Sequence, residues 1–168
     1  MSPSFKSIVV PLSEVPLGEL AAEEVREPIV LVVDDEHLVA DTLTIIFQRA
    51  GYCVLTAYDA LEALEISSGI QPDILVSDVD MPKMNGVDLA LTLLKRLPQC
   101  RVLLFSGHAT VADLASAREA GHDFPLLPKP VHPAEMLRNV SKCLGRRATE
   151  PKVRMAEVIT MPGIPQMA

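Results

Sequence analysis

The sequence predicts an α/β fold in which five parallel strands form one sheet and helices cover both of its faces. Three observations predict it. Short β-branched runs without polar alternation, such as Ile29–Val33, are typical of strands that are buried on both faces. Segments with apolar residues at helical spacing separate these runs, and the connections are short. Strands that alternate with helices in this way form a doubly wound parallel sheet, a three-layer sandwich.

The first two βα units show this pattern most clearly. Ile29–Val33 is a continuous apolar run, and His37–Ala50 carries its apolar residues at helical spacing. Cys53–Ala57 is a second short strand, followed by a short helix over Ala60–Ser68. A glycine follows each of these helices, as is typical of a helix C-terminus.

The remaining three units repeat the alternation. Their predicted strands are Asp73–Ser77, Arg101–Phe105 and Phe124–Leu127, and their predicted helices are Val87–Leu97, Val111–Ala120 and Pro133–Leu144. Pro98 ends the first of these helices, Gly121 caps the second, and Pro133 suits the first turn of the third. The predicted domain therefore extends over residues 28–145.

Two proline-rich segments flank this domain. The chain has 14 prolines, and they are denser in the first 28 and last 23 residues than between. We predict a flexible N-terminal extension over residues 1–27, with a possible short acidic helix around Leu17–Val25, and a flexible C-terminal tail over residues 146–168. The tail is too short for a helix-turn-helix or an enzyme domain, so we expect a single-domain protein.

Composition excludes several classes of protein. A net charge of −7 argues against a nucleic-acid surface, which needs a basic face. The chain has no apolar run of about 18 residues, so we expect no membrane span. The three cysteines have no CxxC spacing and are interpreted as reduced, small hydrophobic residues of a cytoplasmic protein.

Polar residues gather where the predicted strands end. Asp34 and Asp35 follow the first strand, and Asp78 and Asp80 follow the third. Ser106 follows the fourth and Lys129 the fifth. Ligands of such sheets bind beyond the carboxyl ends of the strands, so these side chains form a candidate site.

The charges at this candidate site require a cation. Two carboxylates about 4 Å apart repel each other by roughly 4 kcal/mol at an effective dielectric constant near 20. Oxygen ligands without histidine or thiolate suit a hard ion, and a partly hydrated site suits Mg²⁺. A lysine and a serine hydroxyl suit a transferring phosphoryl group. The residues therefore predict a carboxylate nucleophile beside Mg²⁺, and at this point either Asp78 or Asp80 could be that nucleophile.

The segments "VVDDE", "SDVDMPKMNG", "FSG" and "PKP" resemble, in this order, the receiver domain of two-component response regulators. The resemblance covers Pro28 to about Gly145. It implies a flavodoxin-like fold with strand order 2-1-3-4-5. It also implies that Asp78 is the phospho-acceptor and a metal ligand, with Asp35 as a direct Mg²⁺ ligand. Asp34 would act through water, and the backbone carbonyl of Asp80 would complete the metal ligands.

Other roles follow from the same resemblance. Ser106 would bond a phosphoryl oxygen, and Lys129 would pair with Asp78 and then with the phosphate. The Lys129-Pro130 bond would be cis, and Gly86 would permit the backbone turn after the active-site loop. His108 lies where receivers tune access to the phosphoryl group, so it is either such a modulator or an exposed loop histidine. Separately, we hypothesise that the Asp80 carboxylate modulates how phosphate or attacking water approaches Asp78.

One position departs from the family pattern. A Tyr or Phe is usual three residues before the lysine, where this chain has Leu126, and the nearest aromatic residue is Phe124. Either Phe124 takes the switching role through a shifted strand, or the relay from serine to aromatic residue is altered.

The resemblance implies a cytoplasmic, bacterial-type signalling protein that catalyses only its own phosphorylation and dephosphorylation. Its partners would be a histidine kinase or histidine phosphotransfer protein and an unknown downstream protein target. It would be a monomer or a phosphorylation-dependent dimer, with no nucleic-acid or membrane partner.

Two alternatives remain open. One is a phosphorylation-independent adaptor that uses the receiver fold as a scaffold. The other is a phosphohydrolase of the haloacid dehalogenase type, because "LVSDVD" imitates that family's DxD motif. Against the hydrolase, the acid pair precedes the candidate nucleophile here, whereas that family supplies its metal-binding acids after the lysine.

Overall fold

The structure is a computed structural model that describes residues 26–108 and 114–145. Its strands are β1 (Ile29–Val33), β2 (Cys53–Ala57), β3 (Ile74–Asp78), β4 (Arg101–Ser106) and β5 (Leu126–Pro128). Its helices are α1 (His37–Arg49), α2 (Ala60–Gly69), α3 (Gly86–Arg96), α4 (Ala115–Glu119) and α5 (Pro133–Cys143). The possible helix Leu17–Val25 and the C-terminal tail lie outside the described residues.

The five strands form one parallel sheet in the order β2-β1-β3-β4-β5. Both the α/β architecture and the strand order predicted from the sequence are confirmed. β3 lies in the centre of the sheet and is buried along its whole length. Its carboxyl end lies between those of β1 and β4, and the strand order reverses at the boundary of β1 and β3, where ligands of such sheets bind.

Alternate residues of each strand enter two cores, one on each face of the sheet. On one face, Val30 and Val32 pack with Phe47 of α1 and Met136 of α5. On the other, Leu31 packs with residues of α2, α3 and α4. A strand that is buried on both faces must be apolar throughout, which explains the runs that predicted the strands.

The start of β5 differs from the prediction. The predicted strand began at Phe124, but β5 begins at Leu126, where Leu126 pairs with Leu104. Pro125 has no amide to donate, although its carbonyl accepts from the amide of Leu104 at 2.9 Å. Phe124 is buried before the strand and stacks on His122, with 5.4 Å between ring centroids.

Helix ends agree with the sequence in most places. Gly51 and Gly121 have positive φ values of 86° and 82°, as C-terminal caps require, and Pro133 lies in the first turn of α5. The helix predicted from Val111 is described only as α4, and residues 109–113 lie outside the described residues. Within the described ranges, no helix has the length and apolarity needed to cross a bilayer.

The described fold reaches two residues beyond the predicted domain boundary. Arg26 donates to both carboxylate oxygens of Asp73, at 2.7 and 3.0 Å. Asp73 also accepts from the amide of Ile29 at 2.7 Å, just before β3 begins. Arg26, predicted as part of the extension, therefore joins the start of β1 to the start of β3.

Candidate functional site

The carboxyl edge of the sheet, meaning Asp34, Asp35, Asp78, Asp80, Ser106 and Lys129, brings the predicted site residues together. Asp34 follows β1, while Asp78 and Ser106 are the last residues of β3 and β4. Asp34 is fully buried, and Asp78 and Ser106 are each 3% exposed. Charged groups are rarely buried to this extent unless they are paired or bind a ligand.

Three carboxylates converge at this edge. Asp34, Asp35 and Asp78 each offer one oxygen, and these oxygens lie within 4.8 Å of one another. Asp34 and Asp78 are buried, whereas Asp35 is exposed, so the cluster is open to water on one side. An oxygen-only donor set that keeps some water fits Mg²⁺, so the residues present fit the expected metal.

Lys129 supplies positive charge at the base of the cluster. Its Nζ lies 3.2 Å from Asp34 Oδ2 and 3.2 Å from Asp78 Oδ2, and 5.0 Å from the centre of the Phe105 ring. Burial by itself lowers the pKa of Lys129, but Asp34 and Asp78 outweigh burial and raise that pKa above its ordinary value. Lys129 is therefore an ammonium ion at neutral pH.

One lysine does not neutralise the buried acids. Burial raises the pKa of Asp34 above its ordinary value, and the charge of Asp78 adds to this increase. The amide of Glu36 donates to Asp34 Oδ1 at 2.8 Å. This hydrogen bond and the ammonium of Lys129 lower the pKa of Asp34, but they offset the increase only in part. The local charge balance favours a further cation.

Helix capping does not explain the two acids that follow β1. The N-terminal cap of α1 is Glu36, whose side chain makes no capping hydrogen bond. Asp34 instead accepts from the amide two residues later, which orients its carboxylate inside the cluster. Asp34 therefore serves the carboxylate cluster rather than the N-terminus of α1.

Asp80 and Ser106 make a contact that the sequence did not predict. The Ser106 hydroxyl donates to Asp80 Oδ2 and accepts from the amide of His108 at 3.1 Å. The amide of Asp80 donates to Asp78 Oδ1 at 3.2 Å. His108 thus reaches the site through its backbone. Pairing of a loop side chain with a side chain at the end of another strand has no signal in a single sequence.

Gly86 is needed for a different reason from the predicted one. Its φ is not in the left-handed region, but a Cβ built on it would lie 2.0 Å from the carbonyl oxygen of Asp78. The start of α3 therefore packs directly against the backbone of the acceptor strand, which only glycine allows. The predicted cis bond between Lys129 and Pro130 is present.

Phe105 is a site residue that sequence reasoning missed. Its ring lies under the ammonium of Lys129 and belongs to the core that α1 and α5 cover. The sequence placed Phe105 near the site, because it precedes Ser106 in β4. It did not show on which face of the sheet the ring lies, and therefore did not show that the ring meets Lys129.

Comparisons with known proteins agree on one family. The family model described as "Response regulator receiver domain" matches residues 30–141. The "Regulator of RpoS" of Escherichia coli K12 is 36% identical over 116 residues, which are 68% of this chain and 34% of that protein. The chain thus spans about a third of the length of this curated relative.

Solved structures give the same result. A receiver domain protein described as CheY-like, from Methanospirillum hungatei, has a TM-score of 0.67 and 26% identity, covering 71% of this chain and 95% of that one. A response regulator from Burkholderia pseudomallei, with a phosphorylated aspartic acid, a calcium ion and citrate, has a TM-score of 0.63 and 27% identity. It is matched over 71% of this chain and 69% of that one. This chain belongs to the response regulator receiver domain family of two-component signalling systems.

Proposed function

We propose that this receiver accepts a phosphoryl group on Asp78 in an Mg²⁺-dependent reaction and signals through the change that follows. The phosphodonor is a histidine kinase or a histidine phosphotransfer protein. The observation that carries the proposal is the buried Asp78 carboxylate, which shares one site with two further carboxylates and lies 3.2 Å from the ammonium of Lys129.

The resemblance to receivers assigns the metal ligands, and the convergence of three carboxylates supports the assignment. Asp35 and Asp78 would bind Mg²⁺ directly, Asp34 would bind it through water, and the backbone carbonyl of Asp80 would be a further ligand. When bound, Mg²⁺ supplies positive charge that offsets the carboxylates and the incoming phosphoryl oxygens. The exposure of Asp35 on one side of the cluster supports a metal that keeps part of its water shell.

The chemistry is a transfer between two nucleophiles. A carboxylate oxygen of Asp78 attacks phosphorus, the P–N bond to the donor histidine breaks, and the imidazole leaves with the electron pair of that bond. Lys129 and Ser106 then hold phosphoryl oxygens by charge and by a hydrogen bond. Because the reacting carboxylate is already held by Lys129 and by the amide of Asp80, little reorganisation precedes attack.

Related structures support this assignment of chemistry. The response regulator from Burkholderia pseudomallei contains a phosphorylated aspartic acid and a calcium ion, and its chain resembles this one in fold and in sequence. Membership of the receiver family also argues against the haloacid dehalogenase alternative, since receivers are signalling domains rather than typical enzymes.

A phosphorylation-independent adaptor remains the second candidate because of the altered switch position. Leu126 lies half-buried at the start of β5, and Phe124 is buried outside the strand against His122. Neither arrangement provides an aromatic side chain on β5 itself. Partner capture with and without beryllium fluoride, a phosphoryl analogue, separates the candidates, since an adaptor would bind its partner equally in both conditions.

Replacement of the acceptor tests the proposal. Incubation with acetyl phosphate and Mg²⁺ should add one phosphoryl group to the wild-type protein, measured as intact mass, and Asp78→Asn should abolish the addition because an amide is not a nucleophile. Asp123→Asn is the control, because the Asp123 side chain is 89% exposed and pairs with Arg118 of α4. Undiminished labelling of Asp78→Asn would overturn the proposal.

A further inference from the structure

The hydroxyl that should bind the phosphoryl group already serves another acceptor. Ser106 donates its proton to Asp80 Oδ2, while the amide of His108 donates to the Ser106 oxygen at 3.1 Å. A serine hydroxyl has one proton to donate. In this structure the hydrogen bond that a phosphoryl oxygen would receive is therefore given to a carboxylate of the same chain.

Ser106 is the fixed partner of this pair and Asp80 the movable one. Ser106 is 3% exposed, pairs with Pro128 in the sheet, and accepts the amide of Lys129 on its carbonyl at 2.8 Å. Asp80 is exposed in the loop after β3, and its amide is held by Asp78. The Asp80 carboxylate can rotate into water while its backbone stays in place.

The two states of Ser106 exclude each other. A phosphoryl group brings a charge of about −1.5 to −2 to the site. The Ser106 proton cannot serve both that group and the Asp80 carboxylate, and two anions that share one donor repel each other. If Ser106 is to bind the phosphoryl group on Asp78, the Asp80 carboxylate must therefore give up its hydrogen bond with Ser106.

We propose that the Asp80 carboxylate is an internal competitor for Ser106, which occupies the hydroxyl in the unphosphorylated protein and opposes the phosphorylated state until it is displaced. This inference rests on the proposed function and concerns the regulation of the same site. It makes Asp80 a positioning residue, because it acts on the phosphoryl group through Ser106. Through its side chain, Asp80 sets how tightly the site holds a phosphoryl group.

A double-mutant cycle separates competition from simple charge repulsion. The affinity for beryllium fluoride in saturating Mg²⁺ is measured by calorimetry for wild type, Asp80→Ala, Ser106→Ala and the double variant. Repulsion by Asp80 acts in both backgrounds, whereas competition acts only where Ser106 is present. We expect Asp80→Ala to tighten binding by about tenfold with Ser106 and about threefold without it, since a hydrogen bond to a charged group is at stake.

Each other outcome of the cycle overturns a defined statement. Equal gains in both backgrounds would leave only repulsion, and weaker binding by Asp80→Ala would mean that Asp80 presents the hydroxyl to the ligand; both overturn the competition. Wild-type protein that does not bind the analogue would overturn the proposed function together with this inference. Asp88→Ala, which removes an exposed carboxylate from the first turn of α3, is the control, and it should change affinity by less than about twofold.

A second measurement needs no Ser106 variant. The amide of His108 donates to the Ser106 oxygen, so its NMR resonance reports the state of that hydroxyl. Without any ligand, Asp80→Ala should shift the His108 amide resonance, and Asp88→Ala should leave it in place. A His108 resonance that Asp80→Ala does not move would contradict the contact on which the proposal depends.

Discussion

The two edges of the sheet treat their charges in opposite ways. At the amino edge, meaning Arg26, Asp73 and the amide of Ile29, one carboxylate meets one guanidinium in a two-point contact at 2.7 and 3.0 Å. At the carboxyl edge, the carboxylates of Asp34 and Asp78 both contact the ammonium of Lys129, and those of Asp35 and Asp80 add further negative charge. A balanced pair stabilises a junction between strands, whereas an unbalanced cluster is stabilised by a further cation.

Burial increases this difference. The Asp73 side chain is 26% exposed and that of Arg26 is 64% exposed, so water screens the amino-edge pair. Asp34 and Asp78 are almost completely buried, and their charges are screened far less. The amino edge therefore contributes modestly to stability in all conditions, while the stability of the carboxyl edge depends on what it binds.

The largest expected effect comes from closing the space at the carboxyl edge. Gly86→Ala places a Cβ 2.0 Å from the Asp78 carbonyl oxygen, which is backbone and cannot rotate away. We expect the free energy of unfolding to fall by about 3 kcal/mol, measured by urea denaturation.

Gly107→Ala is the matched control for this substitution, since it lies at the same edge and a Cβ there meets no atom within 4 Å. It should change the free energy of unfolding by less than about 0.5 kcal/mol. If Gly86→Ala were as well tolerated as Gly107→Ala, the close packing of α3 against the end of β3 would be wrong.

Removing one carboxylate from each edge should have effects of opposite sign. Without a divalent cation, the pKa of Asp34 is higher in the folded protein than in the unfolded chain. At neutral pH, which is above the unfolded-state pKa, ionisation of Asp34 therefore costs more in the folded state and opposes folding. Asp34→Asn should therefore raise the free energy of unfolding by about 1 kcal/mol in EDTA. Asp73→Asn should lower it by about 1 kcal/mol, because Arg26 loses its charged partner.

Mg²⁺ should change the effect of Asp34→Asn on the free energy of unfolding but not the effect of Asp73→Asn. Saturating Mg²⁺ stabilises a protein that binds it, so the wild type should gain stability relative to Asp34→Asn. The loss caused by Asp73→Asn should be the same in EDTA and in Mg²⁺. If Asp34→Asn and Asp73→Asn destabilised the protein equally in EDTA, the contrast between the two edges would be refuted.

The sequence was most informative where a residue's environment follows from its neighbours in the chain. Apolar runs such as Ile29–Val33 marked all five strands, and the polar residues after them marked the carboxyl edge, because parallel strands end at one edge. The roles of individual acids came from the resemblance to receivers, since spacing alone did not separate Asp78 from Asp80.

Contacts between distant segments escaped prediction. Arg26 was placed in the extension, because nothing near it in the sequence identifies Asp73 as its partner. The Asp80–Ser106 contact depends on the side-chain conformations of a loop residue and of the last residue of β4. The start of β5 was placed too early. Phe124 has a high β propensity, which indicated a strand, but its ring is buried just before the strand and next to a proline.

Calorimetric titration with Mg²⁺ tests the central claim most directly, namely that the unbalanced carboxyl edge is a divalent-cation site and the balanced amino edge is not. The account predicts that the wild type binds Mg²⁺, that Asp35→Asn weakens binding by about tenfold or more through loss of a direct ligand, and that Asp73→Asn binds as the wild type does. Wild-type protein that fails to bind Mg²⁺, or Asp35→Asn with wild-type affinity, would contradict it.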